Sequence, residues 1–133
     1  MLLSGERVRS RLVTKVEEMS GQRVLGCYQC GKCTAGCPMA SFMDPVPHGV
    51  MRLLQLGQVS RAMRTAAVWM CASCHSCASR CPRGVDLARV MESLRLLILR
   101  GGEPKVRPEG LPAELLMRAP QQALVSCARK YQG

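Results

Sequence analysis

Two short segments with the same cysteine spacing constrain this sequence more than any other feature. Residues 27–38 read CYQCGKCTAGCP and residues 71–82 read CASCHSCASRCP, so both have the form C-x₂-C-x₂-C-x₃-C-P. The segments agree at the four cysteines and the final proline, and at no other position. Because the repeat preserves ligands and not packing residues, it indicates that both segments serve the same cofactor chemistry.

The spacing predicts two [4Fe–4S] clusters. Three thiolates separated by two-residue gaps can reach three corners of one cube, whereas the fourth cysteine follows too late for that cube. In two-cluster ferredoxins this fourth cysteine ligates the other cluster. The predicted ligands of the first cluster are therefore Cys27, Cys30, Cys33 and Cys81, and those of the second are Cys71, Cys74, Cys77 and Cys37. Because this crossed ligation joins both halves of the chain, we expect the apo-protein to be largely unfolded.

Structural zinc is the main alternative for these cysteines. Zinc takes four ligands, commonly from paired cysteines, and the third and fourth cysteines of each segment have no use in such a site. Disulfides are less expected, since residues 1–18 show no secretory signal pattern and no apolar run is long enough to span a bilayer. These features indicate a cytoplasmic protein, in which thiols stay reduced.

Composition and charge narrow the functional classes. Aromatic residues make up 3% of the chain and apolar residues 47%, so the core is aliphatic or includes something other than protein. The formal charge is +10 with neutral thiols, and two clusters with their thiolates would lower it to about +6. A nucleic-acid surface would combine a basic stripe with stacking aromatics. The scattered arginines instead predict solvated faces, some contacting protein partners, and no nucleic acid.

Hydrophobic periodicity predicts a mainly α fold without strands. An amphipathic helix is expected over residues 6–20, with Gly21 as its C-terminal cap. A second helix begins near the 44–47 turn and ends at Gly57, and a short third covers roughly 58–68. The clearest helix follows Asp86 as N-cap, continues to Ile98 and is closed by Gly101 and Gly102.

The chain is predicted to contain two domains. Residues 1–102 form the dicluster domain, with both clusters in its core. Residues 103–133 form a proline-containing extension, in which 103–112 is an irregular linker and 113–131 holds short helices broken near Pro120. We expect this extension to dock a partner.

The motifs and their surroundings resemble the C-type subunit of heterodisulfide reductase. The resemblance runs from about Gly21 to Gly101 and rests on CYQCGKCTAGCP, then DPVPHGVMRLLQLG, then WMCASCHSCASRCPRGVD and a helix containing MESLR. It implies an α-helical ferredoxin fold, like the C-terminal part of succinate dehydrogenase iron–sulfur subunits. It also implies a hetero-oligomeric complex in which the C-type subunit relays electrons between an A-type flavin subunit, on one side, and a B-type subunit with the catalytic iron–sulfur site, on the other.

The residues themselves leave other functions open. The chain could be a free-standing dicluster ferredoxin, or an iron–sulfur regulator that binds DNA. No nucleophile with a base, open metal site or phosphate loop is apparent, so the chain alone is expected to move electrons and to catalyse nothing. His75 stands where relatives commonly have an aromatic residue and is interpreted as a loop histidine. Cys127 lies outside both motifs and is interpreted as a small apolar residue.

Overall fold

The computed structural model describes residues 5–101 and 105–132, and its backbone forms two compact units, Met1–Leu94 and Arg95–Gly133. Within these described ranges it contains α-helices and 3₁₀ turns but no strand, which confirms the mainly α class. The helices are α1 Gly5–Val8, α2 Arg11–Ser20, α3 Lys32–Ala35, α4 Pro47–Gln55, α5 Val59–Met63, α6 Ala67–Met70, α7 Ser76–Ser79, α8 Leu87–Leu99, α9 Ala113–Arg118 and α10 Gln121–Gln132. The 3₁₀ turns are Val24–Gly26, Ala40–Phe42 and Pro108–Gly110. The predicted domain boundary falls at residues 102–104, outside the described residues, and stays a prediction.

The helix signals in the sequence are confirmed with two interruptions. The predicted helix over roughly 58–68 is divided into α5 and α6 by a turn at residues 64–66. The predicted helix 6–20 is divided between α1 and α2, because Ser10 adopts an extended backbone and its hydroxyl accepts a hydrogen bond from Val13 N at 3.5 Å. Gly21 closes α2 in the left-handed conformation, with φ +65°. Pro47 occupies the first turn of α4, where its missing N–H costs nothing.

The first unit has an aliphatic core that positions the two cysteine segments. It is built from one face each of α2, α4, α5, α6 and α8, and its fully buried members include Val16, Val50, Leu54, Val68, Val90 and Leu94. Trp69 belongs to the same core and is 7% exposed. With few aromatic side chains available, close packing of branched aliphatic residues supplies most of the hydrophobic stabilisation.

The second unit contains α9 and α10, separated at Pro120 as predicted. The backbone N–H of Lys105 donates to the carbonyl of Tyr131 at 2.8 Å, which joins the two ends of this segment. Among the side chains described between 105 and 131, none is buried, and Leu115, Leu116, Met117 and Val125 are exposed. None of the helices described in either unit has the length and apolarity needed to cross a membrane.

Candidate iron–sulfur centres

The two cysteine segments form the same backbone turn despite their different residues. In each segment the second and fourth residues after the first cysteine adopt left-handed conformations: Gln29 and Gly31 have φ of 64° and 76°, and Ser73 and His75 have φ of 54° and 57°. Each turn then enters a one-turn helix, α3 or α7, and these two helices pack against each other. Left-handed residues reverse the chain within a few residues, so each segment becomes a tight loop.

The placement of the fourth cysteines supports crossed ligation. One cavity is lined by Cys37 together with the three cysteines of the second segment, Cys71, Cys74 and Cys77. Cys81 is two residues before Arg83, whose Nε donates to the carbonyl of Gly26, directly before the first segment. The pKa of Tyr28 is raised, chiefly by its hydrogen bond to Cys30 and further by the charges of Cys30 and Cys81. The cysteine assignments themselves stay a prediction.

The middle cysteine of each segment lies at the surface, and backbone N–H groups face it. Cys30 and Cys74 are both exposed. The backbone N–H of Lys32 lowers the pKa of Cys30, with a further contribution from Tyr28. The hydroxyl and then the backbone N–H of Ser76 lower the pKa of Cys74. Donors of this kind stabilise the thiolate, which is the form that binds iron.

The third cysteine of each segment faces inward. Burial raises the pKa of Cys33, and the neighbouring charges of Cys27 and Cys77 raise it further. Burial also raises the pKa of Cys77. The backbone N–H of Ala88, at the start of α8, lowers this pKa but by less. Cys33 lies on α3 and Cys77 on α7, and these two helices pack against each other, so the inner ends of the two segments lie close together.

Side chains from α4 hold the first loop. The amide nitrogen of Gln55 donates to the carbonyl oxygens of Cys27 at 2.6 Å and Val24 at 3.2 Å. The backbone N–H of His48 donates to the hydroxyl oxygen of Thr34 at 3.1 Å, and His48 Nδ1 lies 2.8 Å from the same oxygen. His48 is the second residue of α4, and both its backbone and its side chain contact Thr34.

A single carboxylate from the start of α8 holds the second loop. Asp86 Oδ2 accepts from His75 Nδ1 at 2.9 Å, while Asp86 Oδ1 accepts from the backbone N–H groups of Ala88 at 3.0 Å and Arg89 at 3.4 Å. Asp86 is thus the predicted N-cap of α8 and also the partner of His75. The sequence did not signal this second contact, since the two residues are separated by an irregular turn.

The described cysteines are not arranged for a mononuclear ion. Within residues 5–101 and 105–132, no three His, Cys, Asp or Glu side chains lie close enough to hold one metal ion. The four thiolates of a cubane each bind a different iron and are consequently spaced more widely than the ligands of one zinc. The thiols of Cys37, Cys71, Cys74 and Cys77 line one cavity, and this donor set fits one such cube.

The ninth cysteine stands apart from this chemistry. Cys127 lies on α10 in the second unit and lines an apolar cavity of about 290 Å³ with Leu116 and Leu124. It is partly buried and its neighbours there are aliphatic. Its position accords with the interpretation as a small apolar residue.

Comparison with known proteins agrees with the geometry. Residues 26–86 match the family model of the 4Fe-4S dicluster domain. The chain is 39% identical over 94 residues to the iron-sulfur C subunit of CoB--CoM heterodisulfide reductase from Methanopyrus kandleri, a match that covers 70% of this chain and 49% of the relative. It is 33% identical over 102 residues to the C subunit of ferredoxin:CoB-CoM heterodisulfide reductase from Methanosarcina mazei, covering 75% of this chain and 60% of the relative.

The chain contains a 4Fe-4S dicluster domain and is similar to heterodisulfide reductase C-type subunits over 70% to 75% of its length. It is an iron–sulfur electron-transfer protein, and its dicluster domain binds two [4Fe–4S] clusters. The chain spans about half the length of the curated relatives it matches, from 49% to 60% in these two comparisons. The partners and substrates of a complete heterodisulfide reductase complex therefore belong to the proposal that follows.

Proposed function

We propose that this chain relays electrons within a heterodisulfide-reductase-like complex, between a flavin subunit of the A type and a catalytic iron–sulfur subunit of the B type. The supporting observation is the arrangement of the two loops. Their inner cysteines, Cys33 and Cys77, lie close together, whereas their middle cysteines, Cys30 and Cys74, are exposed. A chain built in this way offers one surface contact at each loop and a short path between them.

The residues perform this role without catalysing a reaction. When bound, each cluster accepts and releases one electron. The eight motif cysteines supply the ligands, and the donors at Cys30 and Cys74 stabilise added negative charge at the surface corners. The buried aliphatic core, with Val68 and Trp69 directly before the second loop, limits the access of water from that side. The proposal places this relay in the cytoplasm.

The first test is composition and spectroscopy of protein prepared without oxygen. We expect about eight irons and eight sulfides per chain, with interacting S = 1/2 signals after dithionite reduction. About two zincs without sulfide would contradict the cluster assignment. Adding purified A-type and B-type subunits from the same organism should then give a stable complex in which reduced flavin reduces the B-type subunit only when this chain is present.

The same experiment distinguishes the proposed subunit from a free-standing ferredoxin. A ferredoxin would stay monomeric beside both subunits and would reduce several unrelated acceptors at similar rates. A DNA-binding regulator would show salt-sensitive binding to duplex DNA, and the absence of binding at low salt would exclude it.

A further inference from the structure

A basic depression borders the first cysteine loop. Its volume is about 440 Å³, and Arg23, Leu25, Gly26 and Arg83 are among the residues that line it. No aspartate or glutamate lines it, and in the described part of the chain no carboxylate pairs with either arginine. Arg83 Nε donates to the carbonyl of Gly26 at 3.4 Å, which holds this cation against the backbone that leads into Cys27. Two cations therefore line a depression that no described carboxylate lines.

Exposed apolar groups lie next to the same depression. Leu25 is 60% exposed and Tyr28 is 58% exposed. Tyr28 directly follows Cys27 and contacts Cys30, so its exposed ring lies beside the first loop and two residues from Gly26 of the depression. Apolar and aromatic groups surrounded by cations, immediately beside an exposed cluster ligand, are the composition expected of a contact surface for a redox protein.

The second loop lacks these features. Its exposed cysteine, Cys74, is followed by His75, which already faces the carboxylate of Asp86 at 2.9 Å, and by the hydroxyl of Ser76. The position equivalent to Tyr28 is Ala72. The surroundings of the exposed Cys30 and Cys74 thus differ in charge and in apolar surface. The same partner surface would therefore not bind both.

We propose that the basic depression and its apolar border, formed by Arg23, Leu25, Tyr28 and Arg83, dock a protein partner whose redox centre is surrounded by carboxylates. This inference rests on the proposed electron relay and assigns one of its two contacts. An acidic side chain of the partner enters between the arginines, and its apolar surface covers Leu25 and Tyr28. Opposite charges on the two surfaces accelerate association at low ionic strength. The cluster ligated by Cys30 is then the one that exchanges electrons with this partner.

The test compares two double variants of the reduced holo-protein. Arg23→Gln with Arg83→Gln removes the two cations of the depression, whereas Arg61→Gln with Arg64→Gln removes two exposed cations that do not line it. Oxidation by anionic ferricyanide and by cationic hexaamminecobalt(III) is followed by stopped-flow absorbance. We expect the first variant to slow the reaction with ferricyanide about three- to tenfold and to accelerate that with the cobalt complex, and the control to change both much less.

The protein partner is tested with the same variants. Purified A-type and B-type subunits are each titrated against the immobilised holo-protein at low and high salt. The inference requires that one of the two binds with strong salt dependence, and that the first double variant and Tyr28→Ser each weaken that binding about tenfold. Equal effects from both double variants would mean that only the overall charge matters, and the docking surface would be wrong. The electron relay would survive that result, since it depends on cluster content and flavin-dependent reduction.

Discussion

The two cysteine loops have the same backbone conformation, but different side chains support it. In the first loop the second left-handed position is Gly31, which adopts φ 76° without strain, and Gln55 and His48 of α4 fix the flanking chain. In the second loop that position is His75, which adopts φ 57° and is held by Asp86 at the start of α8. The clusters require a particular turn, and each half of the chain produces that turn with its own side chains.

Each loop therefore depends on two kinds of residue, the cluster ligands and the residues that support the loop. If the fourth cysteine of each segment ligates the cluster of the other segment, replacing that cysteine damages the cluster held by the other segment. The side chains of Gln55 and Asp86, in contrast, each support one loop: Gln55 of α4 bonds the first, and Asp86 at the start of α8 bonds the second. Ligand substitutions should therefore have crossed effects, and substitutions of supporting residues should have local effects.

The largest expected effect comes from the fourth cysteines. Cys81→Ala should destroy or degrade the cluster held by Cys27, Cys30 and Cys33, and remove up to about four of the irons, since a cubane that lacks a thiolate is unstable. Cys37→Ala should do the same to the other cluster. The measurement is alkylation of cysteines in the folded protein, mapped by mass spectrometry, because bound thiolates are protected. Labelling of Cys71, Cys74 and Cys77 in the Cys81→Ala variant would overturn the crossed assignment.

Removing the carboxylate of Asp86 should have the next largest effect, confined to the second loop. Asp86→Ala removes the N-cap of α8, which costs about 1 kcal/mol, and also releases His75 from its partner at 2.9 Å. Because His75 is 54% exposed, we expect its contact with Asp86 to add less than about 1 kcal/mol. Hydrogen exchange should show faster opening of amides in 71–77 and in the first turn of α8.

Glu18→Ala is the matched control for that variant. Glu18 is an acidic residue on α2, so its removal changes the net charge by the same amount. Its effect on exchange in 71–77 should be negligible. Faster exchange in 27–33 after Asp86→Ala would show that the two loops are not supported separately.

The cysteine spacing predicted the loops, and residue types predicted several helix ends, including Ser20–Gly21, Asp86 and Pro120. The left-handed residues at Gln29, Ser73 and His75 could not be predicted, because side chains of these types usually avoid positive φ and only the cluster geometry requires it. The contacts of Gln55 with Cys27 and of His75 with Asp86 were also missed. Such contacts join residues across irregular chain, where no periodicity reports which side chains will meet.

A smaller effect should distinguish the two left-handed positions. At Gly31 an added Cβ meets nothing within 4 Å, so Gly31→Ala tests backbone strain alone and should destabilise the first loop by about 1 kcal/mol. His75 already has a strained backbone, because it is a non-glycine residue at φ 57°. In the Asp86→Ala background, His75→Gly should therefore stabilise the second loop by up to about 1 kcal/mol. Amide exchange in each loop measures both changes, and destabilisation by His75→Gly in that background would indicate a further role for the imidazole.

The smallest effect concerns a single hydroxyl. Ser76 Oγ lies 3.4 Å from Cys74 Sγ, and when Cys74 is a thiolate ligand the hydroxyl must be the donor. A donor to a ligand sulfur favours the more negative, reduced cluster. Ser76→Ala should therefore lower the reduction potential of the second cluster and leave that of the first unchanged, as measured by redox titration with EPR detection. Ser79→Ala is the control, since it removes a hydroxyl of the same helix that donates to the carbonyl of Ser76 and not to a cysteine. An equal fall of both potentials after Ser76→Ala would mean that the hydroxyl acts on the whole domain, and the separate tuning of the two loops would be wrong.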